Sequence, residues 1–214
     1  MRLDHVSYVA SHDQISDVVQ RIGSQIGTAF VDGGIHPRFG TRNFTAPLLN
    51  GQYIEVVCAL DHPAAEQTPF GQAVSKKAAE GGGWLTWVFA VEDIAHIEAE
   101  IGRPALEGHR RRPDGTDLKW KQIGVKELLT DPELPFFIEW QDGHHPSEVG
   151  TPNASITKIA FSNQDPLEKS IFKAELLEAL RRNSIAISTV PETSDGVGIT
   201  WIGLSSPIGT TRID

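Results

Sequence analysis

The alternation of apolar and polar side chains opens with a short strand. Across residues 3–10, Val6, Tyr8 and Ala10 share one face, and Leu3, His5, Ser7 and Val9 the other. Asp13 then sits where a helix N-cap would, and Ile15, Val18, Val19, Ile22 and Ile26 recur at helical spacing until Gly27. From 28 to 60 the pattern turns to strands broken by turn residues: 29–31, a loop with Gly33-Gly34 and Pro37, 43–49, the Asn50-Gly51 turn, and 52–60. Asn-Gly between two β-like runs is a strong hairpin signal. The opening part therefore spells strand, helix, strand, strand, strand.

Residues 61–83 are polar, with Pro63, Pro69, a predicted helix near 70–79 and the Gly81-Gly82-Gly83 run. At Trp84 the first pattern starts again. A strand over 84–91 leads to an Asp93-capped helix carrying Ile94, Ile97 and Ile101, which Gly102 and Pro104 end. Strands over 106–112, 116–123 and 135–140 follow. The agreement reaches individual residues. Gly34-Ile-His-Pro-Arg-Phe-Gly-Thr41 matches Gly108-His-Arg-Arg-Arg-Pro-Asp-Gly-Thr116, Tyr53-Ile-Glu55-Val matches Phe137-Ile-Glu139-Trp, and His5-Val-Ser-Tyr-Val-Ala matches Thr86-Trp-Val-Phe-Ala-Val. Three matches in one order point to duplication of a βαβββ unit. Beyond a linker at 143–153, a strand over 156–162, a helix over 166–182 and strands over 185–190 and 197–204 read as βαββ, like a truncated third copy. The predicted class is α+β, with units at 1–62 and 84–143, a connector at 63–83 and an extension at 154–214, all in one compact domain. Its sheets are expected to curl into an incomplete barrel around a cup, with the extension packed against it.

Composition narrows the function. With 214 residues, 39% of them hydrophobic and 22% charged, the chain can bury a substantial core. Its net charge of −9 gives no electrostatic footprint for nucleic acid or an anionic membrane. The longest apolar runs, such as 84–91, are too short to span a bilayer, and Arg2, Asp4 and His5 interrupt any signal-peptide core. The single cysteine, Cys58, cannot form an internal disulfide and reads as a buried small hydrophobe. A soluble cytoplasmic protein is expected. No phosphate-binding glycine motif appears, so no nucleotide cofactor is expected, and Ser205 and Ser206 lack a nucleophile elbow.

The candidate chemistry lies on the repeated strands. Glu55 and Glu139 sit in the middle of apolar runs, so they either face water or converge on a shared concave site. Duplication favours convergence, and His5 on the first strand would then complete a His/Glu/Glu set suited to a first-row divalent ion. His36, Arg38, Thr41, Arg42 and Asn43 stand in a glycine-bounded stretch, either fixing their own turn or offering polar groups to a ligand. His36 is the candidate proton-handling group outside the metal set. In the basic run His109-Arg-Arg-Arg112 alternation lets at most two arginines share a face; a solvated face is the plainer reading, and Arg112 the match to Arg38. Among the tryptophans, Trp87 and Trp120 are candidates for an apolar pocket wall, and His144-His145 read as a solvated loop.

The order βαβββ–βαβββ, the opening Leu3-Asp-His5-Val and the Ile-Glu closing each unit resemble the vicinal oxygen chelate superfamily, which holds glyoxalase I, extradiol dioxygenases and bleomycin-resistance proteins. The stretch Gly33-Gly-Ile-His-Pro-Arg-Phe-Gly-Thr-Arg-Asn43 with Gln52-Tyr-Ile-Glu-Val is similar to its glyoxalase-like subfamily. The resemblance implies ligands from the first and last strand of each unit: His5, Glu55, Thr86 and Glu139. Thr86 departs from it, since a neutral hydroxyl is a poor ligand. Two functions follow. One is a glyoxalase-like enzyme, a lyase, isomerase or dioxygenase, that binds a small oxygen-rich metabolite on Zn, Mn, Ni or Fe held by His5, Glu55 and Glu139. Its metal would stabilise an enediolate after a carboxylate, Glu55 or Glu139, takes a proton. The other is a metal-free protein that sequesters a drug-like or aromatic ligand in the same cup. The units pair either within one chain or across a homodimer.

Overall fold

The computed structural model describes residues 1–115, 117–142, 145–191 and 197–214. Thr116 and His144, singled out above, lie outside them. The chain runs β1 (Arg2–Val9), α1 (Ile15–Ile26), β2 (Val31–His36), β3 (Thr41–Leu48) and β4 (Gln52–Ala59), then α2 (Pro63–Gln67) and α3 (Pro69–Ala79). It continues with β5 (Gly83–Ala90), α4 (Ala95–Ile101), β6 (Leu106–Arg111), β7 (Asp117–Ile123) and β8 (Phe136–Asp142). The last part holds β9 (Ser155–Ser162), α5 (Pro166–Lys169), α6 (Lys173–Arg182), β10 (Ala186–Val190), β11 (Ile199–Ser206) and β12 (Gly209–Ile213).

The class is mixed α+β, but the barrel is closed rather than incomplete. Its strands follow the order β1-β4-β3-β2-β6-β7-β8-β5, and β5 returns to β1. Two seams join the halves. One is the long antiparallel ladder of β1 and β5; the other is β2 against β6, with Ile35 opposite Arg111. The second seam depends on Gly34, whose φ is +96° and whose added Cβ would lie 1.9 Å from the Arg111 carbonyl oxygen. Only glycine lets the two strands come so close. The Gly33-Gly34 pair is therefore inside β2, not in a loop. A register shift between Asp32 and Gly34 absorbs it, and the turn is confined to residues 37–40.

The Asn50-Gly51 turn is present, with φ of 63° and 69°. The helix expected over 166–182 is broken: the Ser170 hydroxyl accepts from the Phe172 N–H, and α6 starts afresh at Lys173. The C-terminal sheet has the order β10-β9-β11-β12, with one strand more than expected. Its β9 pairs in parallel with the next strand, β10, whereas β1 pairs in parallel with the last strand of its group, β4. That pairing is not a truncated copy of the barrel halves.

Strand alternation divides the apolar residues into two cores. Inside the barrel, Val57, Val88, Trp120, Phe136 and Ile138 meet Phe39 and the Phe70, Ala73 and Val74 side chains of α3. Outside, Leu3, Val6, Trp87 and Phe89 meet α1, α4, α6 and the C-terminal sheet. Among the described residues no helix is long and apolar enough to cross a membrane.

Candidate functional site

The site begins with an irregularity in β1. Leu3 stands opposite Phe89 and His5 opposite Val88, so Asp4 is the extra residue of a β-bulge. Regular alternation would send Asp4 and His5 to opposite faces; a bulge re-aims one of them. As a result the His5 Nδ1 lies 3.0 Å from Asp4 Oδ2. Asp4 is fully buried and also receives Arg2 Nη1 at 2.8 Å and Trp140 Nε1 at 3.3 Å. His145 Nε2 lies 3.0 Å from its other oxygen. Burial alone would raise the Asp4 pKa, but the hydrogen bonds of His145 and His5 and the charges of His5 and Arg2 hold it far below the usual carboxylate range. His145 is thus not a solvated loop residue. It is partly buried, edge-on to Tyr53 and Trp140.

Glu55 points inward from β4. Its Oε2 accepts from Ser7 Oγ at 2.6 Å and its Oε1 from Asn43 Nδ2 at 2.7 Å. His5 Nε2 is 4.0 Å from Oε2. Burial pushes the Glu55 pKa up, yet the two imidazoles and the two hydrogen bonds outweigh it, and the net shift is downward. On β6, Gly108 and Arg110 face inward while His109 and Arg111 face out. Arg110 is 3% exposed; its Nη1 donates to Asn43 Oδ1 at 3.3 Å and its Nε has no partner. Burial lowers the Arg110 pKa against the opposing pull of Tyr53 and Glu55. The Asn43 amide therefore bridges a buried carboxylate and a buried guanidinium. Gly33 makes room for that bridge, because an added Cβ would fall 2.1 Å from Asn43 Oδ1 and 2.8 Å from Arg110 Nη1.

His36 Nδ1 meets Thr41 Oγ1 at 2.8 Å, and the ring is set edge-on to Phe39, Phe70 and Trp120. Burial pushes its pKa down to about 4, so the imidazole is neutral at pH 7. Tyr53 stacks on His5 with ring centroids 4.4 Å apart. Burial raises its phenol well above the ordinary value. Trp120 Nε1 donates to Gln122 Oε1 at 2.7 Å, and Phe136, Ile138 and Trp140 close the wall. The free space among these side chains is about 30 Å³. That holds roughly one or two waters. Phe39, Phe70 and Gln122 separate it from an outer apolar pocket of about 260 Å³, which Arg38, Arg103 and Lys126 also line.

The structure brings His5, Glu55, His36, Asn43 and Trp120 to this cavity, with Thr41 holding His36. It places the other sequence candidates elsewhere. Trp87 belongs to the outer core, against Phe89 and Phe161, and donates to the Glu133 carbonyl. Arg42 pairs with Asp32 over the Phe44 ring, and Arg38 donates to the Glu107 carbonyl. Arg112 follows the end of β6, and it is Arg110 that reaches the wall. Glu139 accepts from the Ile94 N–H at 2.7 Å and from Gln141 Nε2, outside the barrel. Register gives the reason. If His5 is aligned with Thr86, Ser7 corresponds to Val88; Ser7 stands opposite Glu55, and Val88 opposite Phe136. The counterpart of Glu55 is Phe136, and Glu139 lies on the other face of β8. Alternation within 109–112 was a usable signal for Arg110. Nothing in the letters marked the bulge at Asp4.

These positions do not fit a divalent ion. Glu55 has both oxygens engaged, Phe136 replaces the second carboxylate, the Thr86 hydroxyl donates to the Trp87 carbonyl, and a buried guanidinium already supplies the local positive charge. Among the described residues no group of three or more His, Cys, Asp or Glu side chains is gathered for a metal.

A barrel of two such halves around a polar cavity defines a class of fold that sequence comparison also finds. The Glyoxalase-like domain family matches residues 3–177, and the chain belongs to that family, within the vicinal oxygen chelate superfamily. No curated protein matches it in sequence. A hypothetical protein from Staphylococcus aureus superposes with a TM-score of 0.57 at 16% identity, covering 100% of this chain and 85% of that one. Methylmalonyl-CoA epimerase from Mycobacterium tuberculosis gives 0.46 at 15% identity, covering 67% of this chain and 89% of its own. The Streptomyces coelicolor methylmalonyl-CoA epimerase in complex with 2-nitronate-propionyl-CoA gives 0.44 at 15% identity over 65% and 96%. At these identities the Staphylococcus likeness is one of fold.

Proposed function

We propose that the barrel cavity binds a small carbonyl-bearing molecule with an apolar body and moves a proton on it, using the chain's own side chains as the charged groups. The observation that carries this reading is the convergence of His5, Glu55 and Arg110 on one aromatic-walled cavity. His5 takes a proton from the carbon next to the carbonyl. The C–H electron pair forms a C=C bond, the carbonyl π pair moves to the oxygen, and Arg110 faces the enolate that forms. Glu55, 4.0 Å from His5 Nε2, offsets the imidazolium. Neutral His36 contributes a hydrogen bond to a substrate oxygen. Return of a proton to the opposite face of that carbon completes an epimerisation, and its return to the neighbouring carbon of an enediolate an isomerisation, with no net change in atoms.

Proton NMR in D₂O with a panel of small ketones, 2-oxo acids and esters tests this directly. The expected result is enzyme-dependent deuterium uptake at the carbon beside the carbonyl, unchanged by chelator. It should fall about 100-fold or more in His5→Gln, with binding followed by quenching of Trp120 and Trp140 fluorescence. The aromatic walls favour a second reading, a sequestering protein. Quenching by ligands without exchange in any of them would establish that one instead.

A further inference from the structure

We propose that Asp4 is the positioning residue of His5: from its place in the β1 bulge it holds the proton on Nδ1 and leaves Nε2 as the proton acceptor in the cavity. The inference rests on the proposed proton transfer for its consequence, but its geometry stands alone. An ionised carboxylate only accepts hydrogen bonds, so the contact at 3.0 Å requires a proton on His5 Nδ1. A neutral imidazole carries one such proton, so Nε2 is then a lone-pair site.

Asp4 is fixed from its other side. Arg2 and His145 engage Oδ1, and Trp140 Nε1 sits 3.3 Å from both oxygens, so the carboxylate cannot rotate away from the ring. The ring in turn is stacked on Tyr53 at an interplanar angle of 18°. Both partners are locked, and the pair owes its existence to one unpaired residue in a strand. A regular β1 would have put Asp4 on the face of Val6 and Tyr8, in the outer core. When Nε2 takes a proton, the new imidazolium lies between two carboxylates, Asp4 at Nδ1 and Glu55 4.0 Å from Nε2.

Long-range ¹H–¹⁵N correlation on histidine-labelled protein at pH 7 reads the tautomer of His5, assigned by its loss in His5→Gln. The expected spectrum shows Nδ1 protonated and Nε2 bare. In Asp4→Asn, whose amide can donate as well as accept, the Nδ1-protonated signature is lost, while His145→Gln retains it. Turnover in Asp4→Asn falls about 100-fold with KM within threefold, the mark of a misoriented base rather than a damaged pocket. A wild-type His5 with its proton on Nε2, or an unchanged tautomer in Asp4→Asn, overturns the inference. If Asp4→Asn does not fold, the wild-type spectrum decides. The correct tautomer with no exchange in any compound would sink the proposed function and leave the Asp4–His5 relation standing.

Discussion

His36 shows how far burial alone changes a side chain. Wedged among Phe39, Phe70 and Trp120, it has a pKa of about 4, against 6.5 for an unperturbed imidazole. Between those values the unfolded chain takes up a proton that the folded chain refuses, so folding stability drops as pH falls from about 6.5 to about 4. Above 6.5 this group contributes no slope. At about 1.4 kcal/mol per unit, the loss approaches about 3 kcal/mol at the bottom of the window. Glu55 and Asp4 add in the same direction only nearer their ordinary values of 4.5 and 3.8, because both are lowered on folding. Urea melts at pH 7, 6 and 5 check this: His36→Gln should be less stable at pH 7 but flatter with pH, and parallel curves would refute it. The sequence suggested His36 because an imidazole titrates near neutrality. The aromatic cage that keeps it neutral comes from Phe39, Phe70 and Trp120, which lie on three different segments and share no pattern along the chain.

At the scale of elements, the same dipeptide ends in different places. Ile54-Glu55 and Ile138-Glu139 look alike as letters, but one glutamate faces the cavity and the other holds the N-terminus of α4. A strand's faces are set by ladder register, and a few residues of offset between two similar strands reverse them. Glu139→Ala should therefore lower stability by about 0.5–2 kcal/mol through the lost cap at Ile94, with ligand quenching and proton exchange unchanged. Glu55→Ala should abolish exchange, since it strips Ser7, Asn43 and His5 of their buried partner. Equal loss of exchange in both variants would contradict this placement. Most strands and helices were legible because their apolar periodicity is strong, as in α1. The continuation of β2 through Gly33-Gly34 was not, since a glycine pair signals a turn unless another strand lies close enough to require it. Here β6 does: the Arg111 carbonyl fills the space a Cβ at Gly34 would take.

For the molecule as a whole, the C-terminal sheet decides whether the barrel stands. The outer faces of β1 and β5 are apolar, and Leu3, Val6, Trp87 and Phe89 are fully buried there. Trp87 packs on Phe161 of β9 with ring centroids 5.1 Å apart. Trp84 Nε1 donates to the Ile213 carbonyl at 2.9 Å, and Thr211 Oγ1 to the Gln25 carbonyl at 3.2 Å. The family match ends at residue 177, before β10, β11 and β12, yet the last two of these strands pack on the barrel. Exposing even four such side chains costs about 1.5–3 kcal/mol each, comparable with the whole stability of a domain, about 5–15 kcal/mol. One of the two strands laid bare is β1, whose bulge holds Asp4 against His5. A chain ending at Gly150 is therefore expected to lose its cooperative melt and near-UV tryptophan signal, to bind 1-anilinonaphthalene-8-sulfonate, and to catalyse no proton exchange. A truncated chain that melts cooperatively within a few degrees of the full chain would show that the barrel supports its own outer face.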